Sequence, residues 1–114
     1  MCVAKLTKTD GSVVCARCAL ATNPFTRMRG LLGRASLAPD EGMLFRPTGS
    51  VHTAFMRFPI DVVFCNRELV VLGVERALAP WKAAGRRGAK VVVELAAGAA
   101  DGVEPGDRLV LGDT

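Results

Sequence analysis

Tyrosine is absent from this 114-residue chain, tryptophan occurs once at Trp81, and histidine once at His52. Aromatic platforms for stacking bases are therefore scarce, and nucleic acid is not an expected partner. Long apolar runs are missing as well. Stretches such as 62–65 and 91–93 meet a charge within a few positions, far short of the ~18 residues a spanning helix needs, so no membrane span is expected. Charged residues make up only 23% against 50% hydrophobic, a balance that excludes intrinsic disorder because burial can offset the entropy of ordering. The start, Met-Cys-Val-Ala-Lys-Leu, lacks the charged region and apolar core of a secretory signal. A cytoplasmic location is expected, and with it four reduced cysteines rather than disulfides.

What is present is a chain of one-domain size with 12 Gly, 6 Pro and a net charge of +4. The charge is segregated. Arg17, Arg27, Arg29 and Arg34 follow one another without an acid between Asp10 and Asp40, and Arg76, Lys82, Arg86, Arg87 and Lys90 do so between Glu75 and Glu94. The rest of the chain is net acidic. Segregation of this kind can draw an anion or an acidic partner to one side, or simply form a solvated face.

Periodicity predicts strands over 3–8 and 13–20, joined as a hairpin by Thr-Asp-Gly-Ser around Asp10-Gly11. Thr22-Asn23-Pro24 supplies a helix cap and first residue, so a short helix is predicted over 24–32, ending at Gly33. Further short strands are predicted over 42–46, 50–56, 60–65, 69–76, 89–97 and 107–111, with 81–88 as a basic connection and 98–106 as a turn-rich link. Eight short strands without repeated βα alternation indicate one mainly β domain over 1–114. The expected architecture is an antiparallel sandwich or small barrel.

The segments Arg27-Met-Arg-Gly-Leu-Leu-Gly-Arg34, Glu41-Gly-Met-Leu-Phe45, His52-Thr-Ala-Phe-Met56, Pro59-Ile-Asp-Val-Val-Phe64 and Val93-Glu-Leu-Ala-Ala-Gly98, with Pro80 and Gly106-Asp107, carry a resemblance. In order and spacing they resemble the bacterial and archaeal family called domain of unknown function 192, over nearly the whole chain. The resemblance implies a compact β-sandwich or jelly-roll-like fold. It implies no reaction and no catalytic residues. Two departures stand out: Phe55-Met56 lacks the tryptophan between them that many relatives carry, and Cys15-Ala-Arg-Cys18 is no part of the family pattern.

Among residues that could carry chemistry, Cys15 and Cys18 have zinc-knuckle spacing, but a second ligand pair would have to come from Cys2, Cys65 and His52. On a regular strand residues three apart point to opposite faces, and no helix begins at the motif to lower a thiol pKa. Packing is the expected role, and no metal or cofactor is expected. Asp61 and Glu94 lie inside apolar strands, where a carboxylate must be hydrogen-bonded, paired or protonated. With His52, Arg57 and Arg29 they are the candidate residues. The expected role is a non-catalytic domain holding a small polar or anionic ligand, or a partner segment, near Arg29, His52, Arg57, Asp61 and Glu94.

Alternatives stay open. Asp61 and Glu94 could act with His52 as the acid/base residues of a hydrolase or lyase, if their side chains face one cavity. The carboxylates could instead be architectural, Asp61 accepting backbone N–H bonds or pairing with Arg29 or Arg57. The basic 76–90 segment could dock an acidic protein partner. No phosphate loop is present, because Arg29-Gly-Leu-Leu-Gly-Arg34 lacks the lysine and hydroxyl it needs. None of Ser12, Ser36 and Ser50 sits in a nucleophile elbow.

Overall fold

A computed structural model of the chain describes residues 3–21, 36–53 and 56–112. The helix expected over 24–32, with Arg29 on it, lies outside these residues. Within them are β1 (Val3–Lys8), β2 (Val13–Ala21), β3 (Glu41–Phe45), β4 (Ser50–His52), β5 (Ile60–Cys65), β6 (Val71–Leu78), β7 (Ala83–Gly85), β8 (Val91–Ala96) and β9 (Leu109–Gly112). The mainly β expectation is met.

Seven strands form one sheet in the order β6-β5-β8-β3-β2-β1-β9, and β4 pairs with β7 in a separate two-stranded ribbon. The sheet is mixed rather than purely antiparallel. β2 and β3 run parallel, Arg17 opposite Glu41 and Ala21 opposite Phe45, a pairing that a tight hairpin turn cannot connect. Nor is it a closed barrel. The edge strands meet at one corner, through a bridge between Val70 and Arg108 and an N–H bond from Leu109 to the Leu69 carbonyl at 2.9 Å.

β5 and β8 are buried on both faces, which is why both read as nearly unbroken apolar runs. One face of the sheet packs Leu6, Leu44, Val63, Val93 and Leu95 under Ala100 and Val103 of the final turns. The other packs Ile60, Val62, Phe64 and Val92 against Met56, with Val51 and Ala84 of the ribbon alongside. The 81–88 segment, expected to be a connection, contains β7. Its Ala-Ala-Gly composition favours no strand, and backbone pairing with Ser50–His52 decides its conformation.

Thr53 fixes how the chain leaves the ribbon. It is fully buried, its Oγ1 donates to the Ala79 carbonyl at 2.6 Å and accepts the Lys82 N–H at 2.8 Å, and its carbonyl accepts the Trp81 N–H at 2.9 Å. These bonds hold Trp81 at φ 64°, a left-handed conformation costly for an aromatic residue. Thr53→Val keeps the volume and removes the hydroxyl, and is expected to cost about 2 kcal/mol. Urea unfolding gives the loss, and hydrogen exchange should quicken at the Trp81 and Lys82 amides before the sheet is affected.

Candidate functional site

The two buried carboxylates occupy opposite faces of the sheet. Asp61 stands opposite Leu95 and Val62 opposite Glu94, so the pleat sends Asp61 toward the Leu95 side and Glu94 toward the Val62 side. They cannot form one acid/base pair across a shared cavity, and the hydrolase or lyase arrangement loses its geometric premise.

Asp61 is 1% exposed and fully bonded. Its Oδ1 accepts the Ala77 N–H at 2.8 Å, and its Oδ2 accepts those of Gly98 and Ala100 at 2.9 and 3.0 Å. Ala77 lies where β6 slips register against β5, with φ 52°, so its N–H turns off the ladder and needs another acceptor. Asp61 thus ties a bulge on the edge strand to the turn after β8, the backbone-accepting alternative read from the sequence. Glu94 sits between Val62 and Met43 on the flanking strands, and burial pushes its carboxyl up to about 7.

His52 and Arg57 are exposed, His52 on the ribbon opposite Ala83 and Arg57 in the bend before β5. Neither reaches Asp61, whose polar contacts are the three amides. The described residues therefore do not bring the candidates together, and Arg29 lies outside them. The basic 76–90 segment is also divided. Arg76 spends its guanidinium on the Ala100 and Val103 carbonyls and on Glu104, and the Arg86 guanidinium lies against the Cα of Gly73.

A different cationic group does converge. Arg46 follows β3, Arg67 follows β5 and Lys90 precedes β8, and because β5, β8 and β3 are consecutive, these three strand ends meet at one edge. Together with Pro47 and Val91 they line a cavity of about 220 Å³. Backbone bonds fix the three segments: Lys90 N–H to the Cys65 carbonyl at 2.9 Å, and Thr48 N–H to the Lys90 carbonyl at 3.0 Å. Asn66 sets the turn that presents Arg67, its Oδ1 accepting the Glu68 and Val70 N–H groups at 3.0 Å each. Among the described residues no carboxylate pairs with Arg46, Arg67 or Lys90, whereas Lys8, Arg17 and Arg76 are each met by Asp107, Asp40 and Glu104. Like charges gathered without a counter-charge repel, and a bound anion is what such an arrangement accommodates. Sequence reading missed this group because its members are 21 and 23 positions apart and share an edge only through the strand order.

Cys15 and Cys18 also depart from expectation. β1 places Ala4 opposite Cys18 and Leu6 opposite Cys15, so two steps on β1 face three on β2. The extra residue is a bulge, and it turns both thiols into the same core face.

The family model DUF192, described as Uncharacterized ACR, matches residues 5–111. A UPF0127 protein of Thermococcus sibiricus is 32% identical over 114 residues, covering 91% of this chain and 71% of its own length. Among solved structures, a candidate transcription regulator from Sinorhizobium meliloti superposes with TM-score 0.82 at 28% identity, over 96% of this chain and 92% of its own. A protein of unknown function from Novosphingobium aromaticivorans gives TM-score 0.80 at 25% identity, over 95% and 83%.

Proposed function

We propose that this chain, which belongs to the DUF192 family, is a non-catalytic domain that binds a small anion at the joined ends of β3, β5 and β8. The observation carrying the reading is the cavity whose three cations have no carboxylate partner among the described residues. At about 220 Å³ it is below the ~300–1,000 Å³ typical of sites for drug-sized ligands, which favours a phosphate, sulfate or small dicarboxylate. Two guanidinium groups supply forked donors to such an anion, and Lys90 adds a point charge. Pro47 and Val91 give the floor an apolar element that excludes some water and strengthens the contact.

The test is calorimetric titration of inorganic phosphate and of malonate, a small dicarboxylate, into the protein at low ionic strength. Saturable binding that weakens as salt is raised is expected. The double variant Arg67→Ala/Lys90→Ala should bind at least tenfold more weakly while unfolding at an unchanged urea midpoint, since both side chains are exposed. The relative designated a transcription regulator makes a short DNA duplex the right competitor. Affinity for the duplex, unaffected by the double variant and with no binding of either small anion, would replace this reading with a nucleic-acid surface.

A further inference from the structure

The bulge in β2 does more than repack two small side chains. Without it, Cys15 and Cys18 would face opposite sides of the sheet; with it, they stand opposite Leu6 and Ala4, two residues apart on β1. Two residues of extended strand span about 6.6 Å, and a disulfide bridges Cα atoms ~4.4–6.8 Å apart, so the bulge shortens the three-residue separation of the pair toward disulfide reach. Both are free thiols, 1% and 0% exposed, within one core cluster. Room for the sulfurs is kept by Gly42, where a Cβ would come within 2.9 Å of the Cys15 Sγ and 2.7 Å of the Leu95 Cδ2.

The pair lies close under the surface. The Cys15 thiol donates to the Asp40 carbonyl at 3.5 Å, and the Asp40 carboxylate above it is held bidentately by Arg17 at 2.9 and 3.1 Å, both side chains exposed. The two thiols are also unequal. The Cys18 S–H turned toward the Cys15 sulfur favours the Cys15 thiolate and lowers its pKa, while the same bond and burial raise that of Cys18. Cys65, by contrast, has its pKa pushed up to about 12 by burial alone. One member of the pair is therefore suited to attack and its neighbour to resolve.

We propose that Cys15 and Cys18 form a redox-active dithiol that a hydroperoxide closes to a disulfide and a small thiol reopens. The Cys15 thiolate attacks a peroxide oxygen, giving Cys15 sulfenic acid and, with the thiol proton, one water. The Cys18 sulfur then displaces hydroxide from the Cys15 sulfur, its proton leaving as a second water. Two thiols and one hydrogen peroxide become one disulfide and two waters. Reopening by two equivalents of a small thiol transfers the bridge to that thiol by exchange, through a mixed disulfide. This site is independent of the anion cavity, so either can fail alone.

The test uses the full chain, reduced, freed of reductant, and treated with a few equivalents of hydrogen peroxide under native conditions. The expected intact mass falls by two hydrogen atoms and recovers with dithiothreitol. Trypsin cuts after Arg17, between the two cysteines, so the non-reduced digest should hold the two flanking peptides as one cross-linked species. Cys65→Ser should leave that cross-link unchanged. Cys18→Ala should instead gain oxygen at Cys15 without a cross-link. Thiols at 15 and 18 that remain fully alkylatable after treatment, or a bridge formed to Cys2, to Cys65 or between chains, would overturn the proposal. Should Cys18→Ala not fold, the wild-type digest decides alone.

Discussion

Asp61→Ala should lose about 4 kcal/mol of unfolding free energy, as much as truncating a large core side chain. The substitution strips the acceptor from three buried donors at once, the N–H groups of Ala77, Gly98 and Ala100. An unsatisfied buried donor costs about 1–3 kcal/mol, and some relief through water or local movement keeps the sum below the additive limit. A loss of that size is a large part of the roughly 5–15 kcal/mol that stabilises an ordinary domain. Asp61→Asn should be nearly as harmful, since one of its two polar atoms becomes a donor aimed at donors. Urea unfolding measures the loss, and amide exchange at 77, 98 and 100 identifies its location. A shift below about 1 kcal/mol would mean that the three amides find other acceptors, and that Asp61 is free for another role.

The second large effect is a pH dependence centred on Glu94. Burial raises its carboxyl to about 7, above the ordinary 4.5, so the native state favours the protonated form. Below about pH 4.5 the group is protonated in both states and contributes no penalty. As pH rises toward 7 the unfolded chain ionises it while the native chain holds the proton, and stability falls by about 3 kcal/mol in all, levelling off above pH 7. Glu94→Gln removes that dependence. The variant should be more stable than the parent at pH 8, by about 3 kcal/mol, and close to it at pH 4.5, as read from paired urea unfolding curves. An equal difference at both pH values would mean that the group titrates normally in the folded protein.

These two residues show what the sequence could and could not reveal. A charge inside an apolar strand is visible in the sequence, and both Asp61 and Glu94 stand out on that ground. Their relation was not visible. Facing depends on register between β5 and β8, and β8 lies 26 residues beyond the end of β5 in a sheet whose order departs from the sequence order. Strand positions were legible for the same local reasons: β1 and β5 match the residues expected, because alternation and flanking turns mark their ends. The β7 segment was not, since its partner rather than its composition makes it a strand.

The cysteine motif is the clearest case of a sound local rule giving the wrong geometry. Residues three apart on a strand diverge only if the pleat is regular, and the Ala4–Cys18 and Leu6–Cys15 pairing breaks it. No residue between Cys15 and Cys18 announces the bulge, because neither Ala16 nor Arg17 is a glycine. The cationic cavity was hidden differently. Arg46, Arg67 and Lys90 each look like an ordinary charged residue at the end of a strand, and their meeting follows from β8 lying between β5 and β3.

Anion binding at that edge is the central claim, and heteronuclear NMR titration with inorganic phosphate tests it most directly. The expected result is saturable shifts confined to the amides of Arg46, Thr48, Asn66, Arg67 and 89–91, absent in Arg67→Ala/Lys90→Ala. Shifts spread evenly over every basic surface segment, or none at millimolar phosphate and low salt, would contradict it.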